Sequence, residues 1–210
     1  MKGQPINRQD VCALSVTWRV FVAIELPAPV RRELIEHIGR LRTLVPDARA
    51  SWVREENLHL TLKFLGDVPL AKVESIAQAT QDAAKLVEPF ELIVGGGGAF
   101  PPTGQPRVLW IGIEDSSGRL GLLHQTLEAA CEKAGFAREQ RPFHPHLTIA
   151  RIRKPHDSRN LAAIHNEVGF EPESVRASEL AVVRSELRSE GSRHIVISRH
   201  SLPSTSNESG

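Results

Sequence analysis

The sequence is poor in the features that would announce several common classes of protein. It has only two cysteines, Cys12 and Cys131. Two give no disulfide framework and no metal-ligand spacing, and Cys131 falls on the apolar stripe of a predicted helix, where core packing is its default role. No apolar run approaches the ~18 residues a membrane span needs. The first residues lack the basic, apolar and small-residue order of a signal peptide, so a cytoplasmic protein is expected. Excess charge is missing too: 26 Lys and Arg against 25 Asp and Glu leave a net +1. A long duplex-binding surface usually carries a much larger basic excess, so any nucleic-acid contact is expected to be small, such as a strand end.

What remains is an ordinary globular chain of 210 residues, 40% hydrophobic and 24% charged, long enough to bury a core as one large domain or two small lobes. Residues 1–17 show no periodicity and read as a loose extension. Residues 18–26 (WRVFVAIEL) read as a strand ended by Pro27. A helix follows, with Pro29 in its first turn and Val30, Leu34, Ile38 and Leu41 on one face to about Arg42. Residues 51–53 suit a short strand and 58–65 a longer one closed by Gly66-Asp67. The next helix starts at Pro69 and turns Leu70, Val73, Ile76, Ala77, Ala83 and Ala84 inward.

Residues 89–94 predict a strand running out to four glycines, 95–98. These lack the Lys-Ser/Thr of a P-loop and the spacing of a dinucleotide fingerprint, so they read as a flexible connector between two halves. Beyond it lie a strand at 107–114 and a helix at 117–134 with Leu120, Leu123, Leu127, Ala130 and Cys131 inward. A further strand starts at His146. Asp157 is the expected N-cap of a helix that holds Leu161, Ile164 and Val168. Residues 177–187 and 193–199 read as a hairpin over Ser189-Glu190-Gly191-Ser192, and 203–210 as a disordered tail.

One pattern occurs twice. His59-Leu60-Thr61-Leu62 and His146-Leu147-Thr148-Ile149 both read His-Leu-Thr-aliphatic within a polar–apolar alternation. Strand periodicity sets His and Thr on one face and the aliphatics on the other. The histidines are 87 residues apart (146 − 59 = 87), and Ile24-Glu25 answers Ile113-Glu114 at an offset of 89 (113 − 24 = 89). Repeat units of about 19–86 and 106–168 within a domain of 18–202 follow, too long for a solenoid and suited to two lobes about an approximate two-fold axis. Such an axis can bring equivalent strands face to face across a groove.

Two imidazoles on opposite walls of a groove can act as an acid–base pair, because histidine titrates near neutral pH. In-line displacement at phosphorus needs a base on the entering water and an acid on the leaving oxygen. Thr61 and Thr148 can donate to the non-bridging oxygens, and Arg151 could add a bidentate contact. Strict strand parity puts Arg151 on the Leu147/Ile149 face, so it reaches the groove only if the strand bends there.

The stretches HLTLKFLG and HPHLTIAR, with VFVAIELP, PRVLWIGI and the final hairpin, resemble the 2H phosphoesterase superfamily over about residues 19–199. The similarity is greatest to its RNA 2′,3′-cyclic phosphodiesterase branch, the bacterial and archaeal 2′-5′ RNA ligases. That resemblance implies a bilobal α+β fold with two antiparallel sheets flanking a central cleft and helices outside. It also implies opening of a 2′,3′-cyclic phosphate to a 2′-phosphate with no metal or other cofactor. By motif match His59 would be the proton donor to the departing 3′-oxygen and His146 the proton acceptor from water. Thr61, Thr148 and Arg151 would bind phosphate, and Phe64 would stack on the terminal base or serve the core. The partners implied are RNA 3′ ends or small cyclic-phosphate nucleotides, with no membrane, no protein partner and a monomeric state. Many members also join RNA ends weakly. The family's last hairpin often carries Gly-Pro-x-Tyr, whereas here it reads Gly191-Ser192-Arg193-His194.

Three rival readings stay open on sequence alone. His144 and His146, with His59, could ligate a metal. The chain could bind RNA ends or cyclic nucleotides without turning them over. Ligation rather than hydrolysis could be the working direction. Histidines 37, 124, 156, 165, 194 and 200 are expected at solvated positions.

Overall fold

The structure, a computed structural model, describes residues 16–153, 158–189 and 191–204. The expected N-cap Asp157, together with His156, Glu190, most of the N-terminal extension and most of the tail, lies outside the described residues.

The chain forms β1 (Thr17–Glu25), α1 (Ala28–Leu44), β2 (Ala50–Trp52), a 3-10 turn (Glu55–Asn57) and β3 (His59–Pro69). A second 3-10 turn (Leu70–Lys72) leads into α2 (Val73–Ala84), then β4 (Phe90–Phe100) and β5 (Val108–Glu114). The remainder is α3 (Arg119–Lys133), β6 (His146–Ile152), α4 (Ser158–Val168), β7 (Glu173–Ala177), β8 (Glu179–Arg188) and β9 (Gly191–Ser201). Two antiparallel sheets result, one in the order β3-β1-β8-β9, the other β2-β6-β5-β4-β7. Each holds one His-x-Thr strand, and β3 and β6 approach within 8 Å, Cα to Cα. The α+β architecture with two antiparallel sheets is the one the family resemblance implies.

β1 is a central strand, and its sequence says so: Val20 to Ile24 are five successive buried residues. Val20, Val22 and Ile24 join the main core, while Phe21 and Ala23 face the other way with Ala181 and Val183. The helices cover the main core by their apolar stripes. α1 lies against α4, α2 against α3 and against β8 and β9. Leu34 and Leu41 of α1, and Leu123 and Leu127 of α3, are fully buried, each worth about 2 kcal/mol of apolar transfer.

Three expectations need correction. The glycines at 95–98 are not a connector: β4 runs through them, paired with β5 by way of a bulge between Gly95 and Gly98. They are small because neighbours lie against them. A Cβ at Gly97 would lie 2.7 Å from His165 Nε2, and one at Gly98 would overlap the Trp110 ring. Leu70 sits in the 3-10 turn before α2 and is 39% exposed, so it does not join the helix's inward face. The repeat offset also changes. The strand register sets Ile24 opposite Leu60 and Ile111 opposite Leu147. Ile24 therefore corresponds to Ile111, at 111 − 24 = 87, the same interval as the two histidines. The alignment on Ile113 had slipped by two residues, which preserves strand parity and so left no sign in the pattern. β7, the short edge strand of the larger sheet, carried no clear signal in the sequence.

Candidate active site

The doubled motif is built the same way twice. In each strand the first seven residues follow one order of burial: half-buried, buried, half-buried, buried, buried, exposed, half-buried. The repeated "buried, buried" step is a β-bulge. In β3 the register passes from Ala23↔Thr61 to Val22↔Lys63, leaving Leu62 as the extra residue. In β6 it passes from Trp110↔Thr148 to Leu109↔Ala150, leaving Ile149 extra. An extra residue reverses the parity of everything after it. Arg151 and Phe64 therefore face the cleft side with the His-x-Thr residues. Strict alternation had put Arg151 on the core face, and the bulge is the bend that corrects it.

His59, Thr61, Phe64, His146, Thr148 and Arg151 all line one cleft of about 950 Å³. Each imidazole is held by the carbonyl two residues before it. His59 Nδ1–H donates to Asn57 O at 2.7 Å, and His146 Nδ1–H donates to His144 O at 2.6 Å. A carbonyl only accepts, so the bond fixes the proton on Nδ1 and leaves Nε2 as the working nitrogen of the neutral ring. In His59 that Nε2 accepts the Thr61 hydroxyl at 2.9 Å. Phe21 stacks on His59 with centroids 4.6 Å apart, and Phe100 meets His146 edge-on at 5.2 Å.

Burial lowers the His59 pKa to about 4, with the neighbouring His194 ring adding to the shift and the Asn57 carbonyl opposing it. His59 is thus neutral in the unliganded cleft at neutral pH. The cleft wall is strongly basic. It includes Arg19, Arg54, Arg151, Arg153 and Arg188 and, among the described residues, no carboxylate. A balanced total charge hides this local field. Arg19 lies over the Phe64 ring, 4.8 Å from its centroid, and Phe64 is 52% exposed, so the ring is a surface platform and not core.

Sequence reasoning missed several neighbours. His194 of β9, read as solvated, packs on His59 and Phe21. Asn57 holds both His59 and the β9 edge, its side-chain amide donating to Ser192 O at 2.8 Å. Nothing local in the sequence places these residues together, because β9 reaches the site only through its pairing with β8. Other histidines also depart from expectation. His37 and His165 are fully buried, and His124 stacks flat on Phe143 at 4.0 Å. His144 is exposed, its ring 6.4 Å from that of Phe100. Among the described residues no group of three or more His, Cys, Asp or Glu side chains is placed to hold a metal ion, so the rival built on His144, His146 and His59 lacks a ligand set.

Comparison with known proteins fits this geometry. The profile of the 2′-5′ RNA ligase superfamily matches residues 29–188. The chain belongs to that superfamily. Relatives of this 2′-5′ RNA ligase superfamily member include the RNA 2′,3′-cyclic phosphodiesterase of Methanothermobacter thermautotrophicus, 36% identical over 176 residues, 82% of this chain and 92% of that protein. The RNA 2′,3′-cyclic phosphodiesterase of Thermotoga maritima is 32% identical over 173 residues, 82% and 89% of the two chains. Among solved structures, TT0787 of Thermus thermophilus aligns with a TM-score of 0.72 at 29% identity, covering 88% of this chain and 97% of that one. Escherichia coli LigT complexed with 3′-AMP aligns at 0.71 and 26%, covering 90% and 100%. No helix of the described residues is long and apolar enough to cross a membrane.

Proposed function

We propose that this protein is an RNA 2′,3′-cyclic phosphodiesterase that opens terminal cyclic phosphates to 2′-phosphates, with His59 as general acid and His146 as general base. One observation carries this reading. Two His-x-Thr strands from different sheets line a single basic cleft, and each histidine is held by Nδ1 so that Nε2 remains for chemistry. The names of the relatives give the substrate class.

In the reaction, water attacks phosphorus as His146 Nε2 takes its proton. The bond from phosphorus to O3′ breaks, and His59 Nε2–H delivers a proton to that oxygen. The product carries a 2′-phosphate and a free 3′-hydroxyl. Each proton transfer is worth roughly 10²–10⁴ in rate. Thr61, Thr148 and Arg151 stabilise charge on the non-bridging oxygens. Burial keeps His59 neutral, so its role as the acid depends on the substrate's phosphate. A bound phosphate anion favours the imidazolium, and the Thr61 hydroxyl, released from Nε2, can turn to a phosphate oxygen. The reaction as written needs no metal.

The test is turnover of an oligoribonucleotide ending in a 2′,3′-cyclic phosphate by the wild type, His59→Ala and His146→Ala, with and without EDTA. Each variant is expected to lose at least about a hundredfold, with EDTA changing nothing. Near-normal turnover by either variant, or loss in EDTA, overturns the mechanism, and binding without turnover by the wild type leaves a binding module.

A further inference from the structure

The last strand brings a third ring to the acid side of the cleft. The His194 centroid lies 5.1 Å from that of His59, with the rings inclined at 70°, and 5.0 Å from Phe21. Phe21 covers one side of His59 and His194 meets it edge-on, so the three rings form one packed cluster. The buried Nδ1 of His194 has no hydrogen-bond partner, so the fold leaves that nitrogen unused. The contact is not accidental in its anchoring. The Asn57 backbone oxygen accepts the hydrogen bond from His59 Nδ1–H, and its side-chain amide donates to the carbonyl of Ser192, two residues before His194.

We propose that His194 is a positioning residue for His59: the two rings form a coupled pair that admits one positive charge and not two. This rests on the reading of His59 as the general acid. Two imidazolium groups in ring contact repel, so the second proton binds much more weakly than the first, and the pair titrates as a unit. The surroundings decide where the single proton goes. Burial disfavours charge on both rings; Glu56, in the 3-10 turn, opposes this at His194 and the Asn57 carbonyl opposes it at His59. β8 presents Ser185 opposite His194, and its flanking Arg184 and Glu186 pair with each other at 3.0 Å. Arg193 flanks His194 on β9, Arg19 and Arg188 line the same cleft, and Phe21 from β1 is uncharged. Burial holds both rings below the ordinary histidine range, so the pair takes up its one proton only as the pH falls or an anion binds. When a phosphate anion occupies the cleft, His59 takes up that one proton from solvent, and His194 is held neutral beside it.

The experiment is an NMR titration of the His59 and His194 ring signals in the wild type, His194→Phe and His194→Asn, free and with inorganic phosphate, beside the pH profile of turnover. Phe keeps the ring packing and the burial but no charge; Asn keeps a polar group without the ring. The His59 midpoint should rise by about half a unit or more in both variants. The alkaline limb of kcat should move up with it, since loss of the acid's proton sets that limb. In the wild type, phosphate should raise the His59 midpoint and lower that of His194. An unchanged His59 midpoint in either variant, or two wild-type rings that titrate independently, overturns the proposal. Failure of the functional reading is distinguishable, because the ring titration is read without turnover.

Discussion

His37 Nε2 lies 3.1 Å from His165 Nδ1, and this bond ties α1 to α4 through a site with no exposure to solvent. His165 Nε2–H donates in turn to Trp110 O at 3.0 Å, which makes His165 Nδ1 the acceptor and His37 Nε2–H the donor. Both rings are therefore neutral, and His37 Nδ1 is left buried without a partner. A second imidazole dyad thus supports β5, the strand beside β6, on the face away from solvent.

This dyad makes stability depend on pH. Burial lowers the His37 pKa to about 4, with the His165 ring and then Arg40 adding to the shift; burial likewise lowers His59 to about 4. Between about pH 6.5 and 4 the unfolded chain binds protons at these positions that the folded chain refuses, so stability rises with pH across that window. The full stabilisation is present above pH 6.5 and is lost as pH falls toward 4, by at most about 3 kcal/mol for His37. Calorimetry at pH 7, 6, 5 and 4.5 should show a falling Tm. His37→Gln keeps a donor for His165 and cannot titrate, so it should flatten the fall. An equal slope in the variant would mean that His37 does not carry the effect.

The histidines also mark what the sequence could and could not tell. The doubled His-x-Thr pattern was legible because strand alternation is local. The core faces of α1 and α3 were legible for the same reason. Alternation alone could not bring Arg151 to the groove without a bend, because a bulge is a property of the pair of strands, and Ile149 looks like any other aliphatic residue. His37 and His165 looked solvated because each is one of several polar residues on its own helix, and only the packing of α1 on α4 gives them each other. His194 needed the whole β8–β9 edge. The glycines of β4 misled for a similar reason: what excludes a side chain there is Trp110 and His165, 12 and 68 residues away (110 − 98 = 12, 165 − 97 = 68).

Those glycines yield a contrast. Gly98→Ala forces a methyl group into the Trp110 ring, while Gly96 has open space around it and a left-handed backbone at φ +64°. Overpacking costs about 1–3 kcal/mol and a left-handed alanine about 1. Trp110 also meets the His146 ring, centroids 6.4 Å apart, so Gly98→Ala should lower turnover as well as Tm. Gly96→Ala should lower Tm alone. Thermal denaturation and turnover measured together check this, and equal effects of both variants on turnover would argue against the packing account.

Lys63 occupies the bulge of β3 where β6 has Ala150, and it is buried with Glu128 at 2.8 Å. The ammonium also donates to Ala137 O at 2.9 Å, and the same carboxylate oxygen accepts Glu139 N–H at 3.1 Å. The pair thereby fastens α3 and the segment after it to the His59 strand. Removing one partner leaves a buried charge alone, at a cost of about 3–5 kcal/mol. Glu128→Gln should therefore lower urea stability far more than Glu132→Gln, whose exposed partner Arg138 is 3.5 Å away. Chemical denaturation of the two variants separates them, and similar losses would show that the buried pair is not special.

The two bulges give the cleft its asymmetry, and activity should report it. Phe64 and Arg151 hold the same place, five residues after His59 and His146, yet one is a ring under Arg19 and the other a guanidinium on the cleft wall. On the proposed mechanism Arg151 meets the phosphate and Phe64 meets the base. Arg151→Lys keeps charge but loses the planar fork, and should cut kcat/KM about tenfold to a hundredfold even on a small cyclic nucleotide. Phe64→Ala removes a stacking platform worth about 1–3 kcal/mol per base and should act through KM, with kcat nearly intact. Steady-state kinetics on a cyclic-phosphate oligonucleotide and on the mononucleoside 2′,3′-cyclic phosphate check both. If Arg151→Lys leaves both substrates unaffected, then the bulge in β6 does not serve to bring a phosphate ligand into the cleft, and Ile149 is extra for reasons of packing alone.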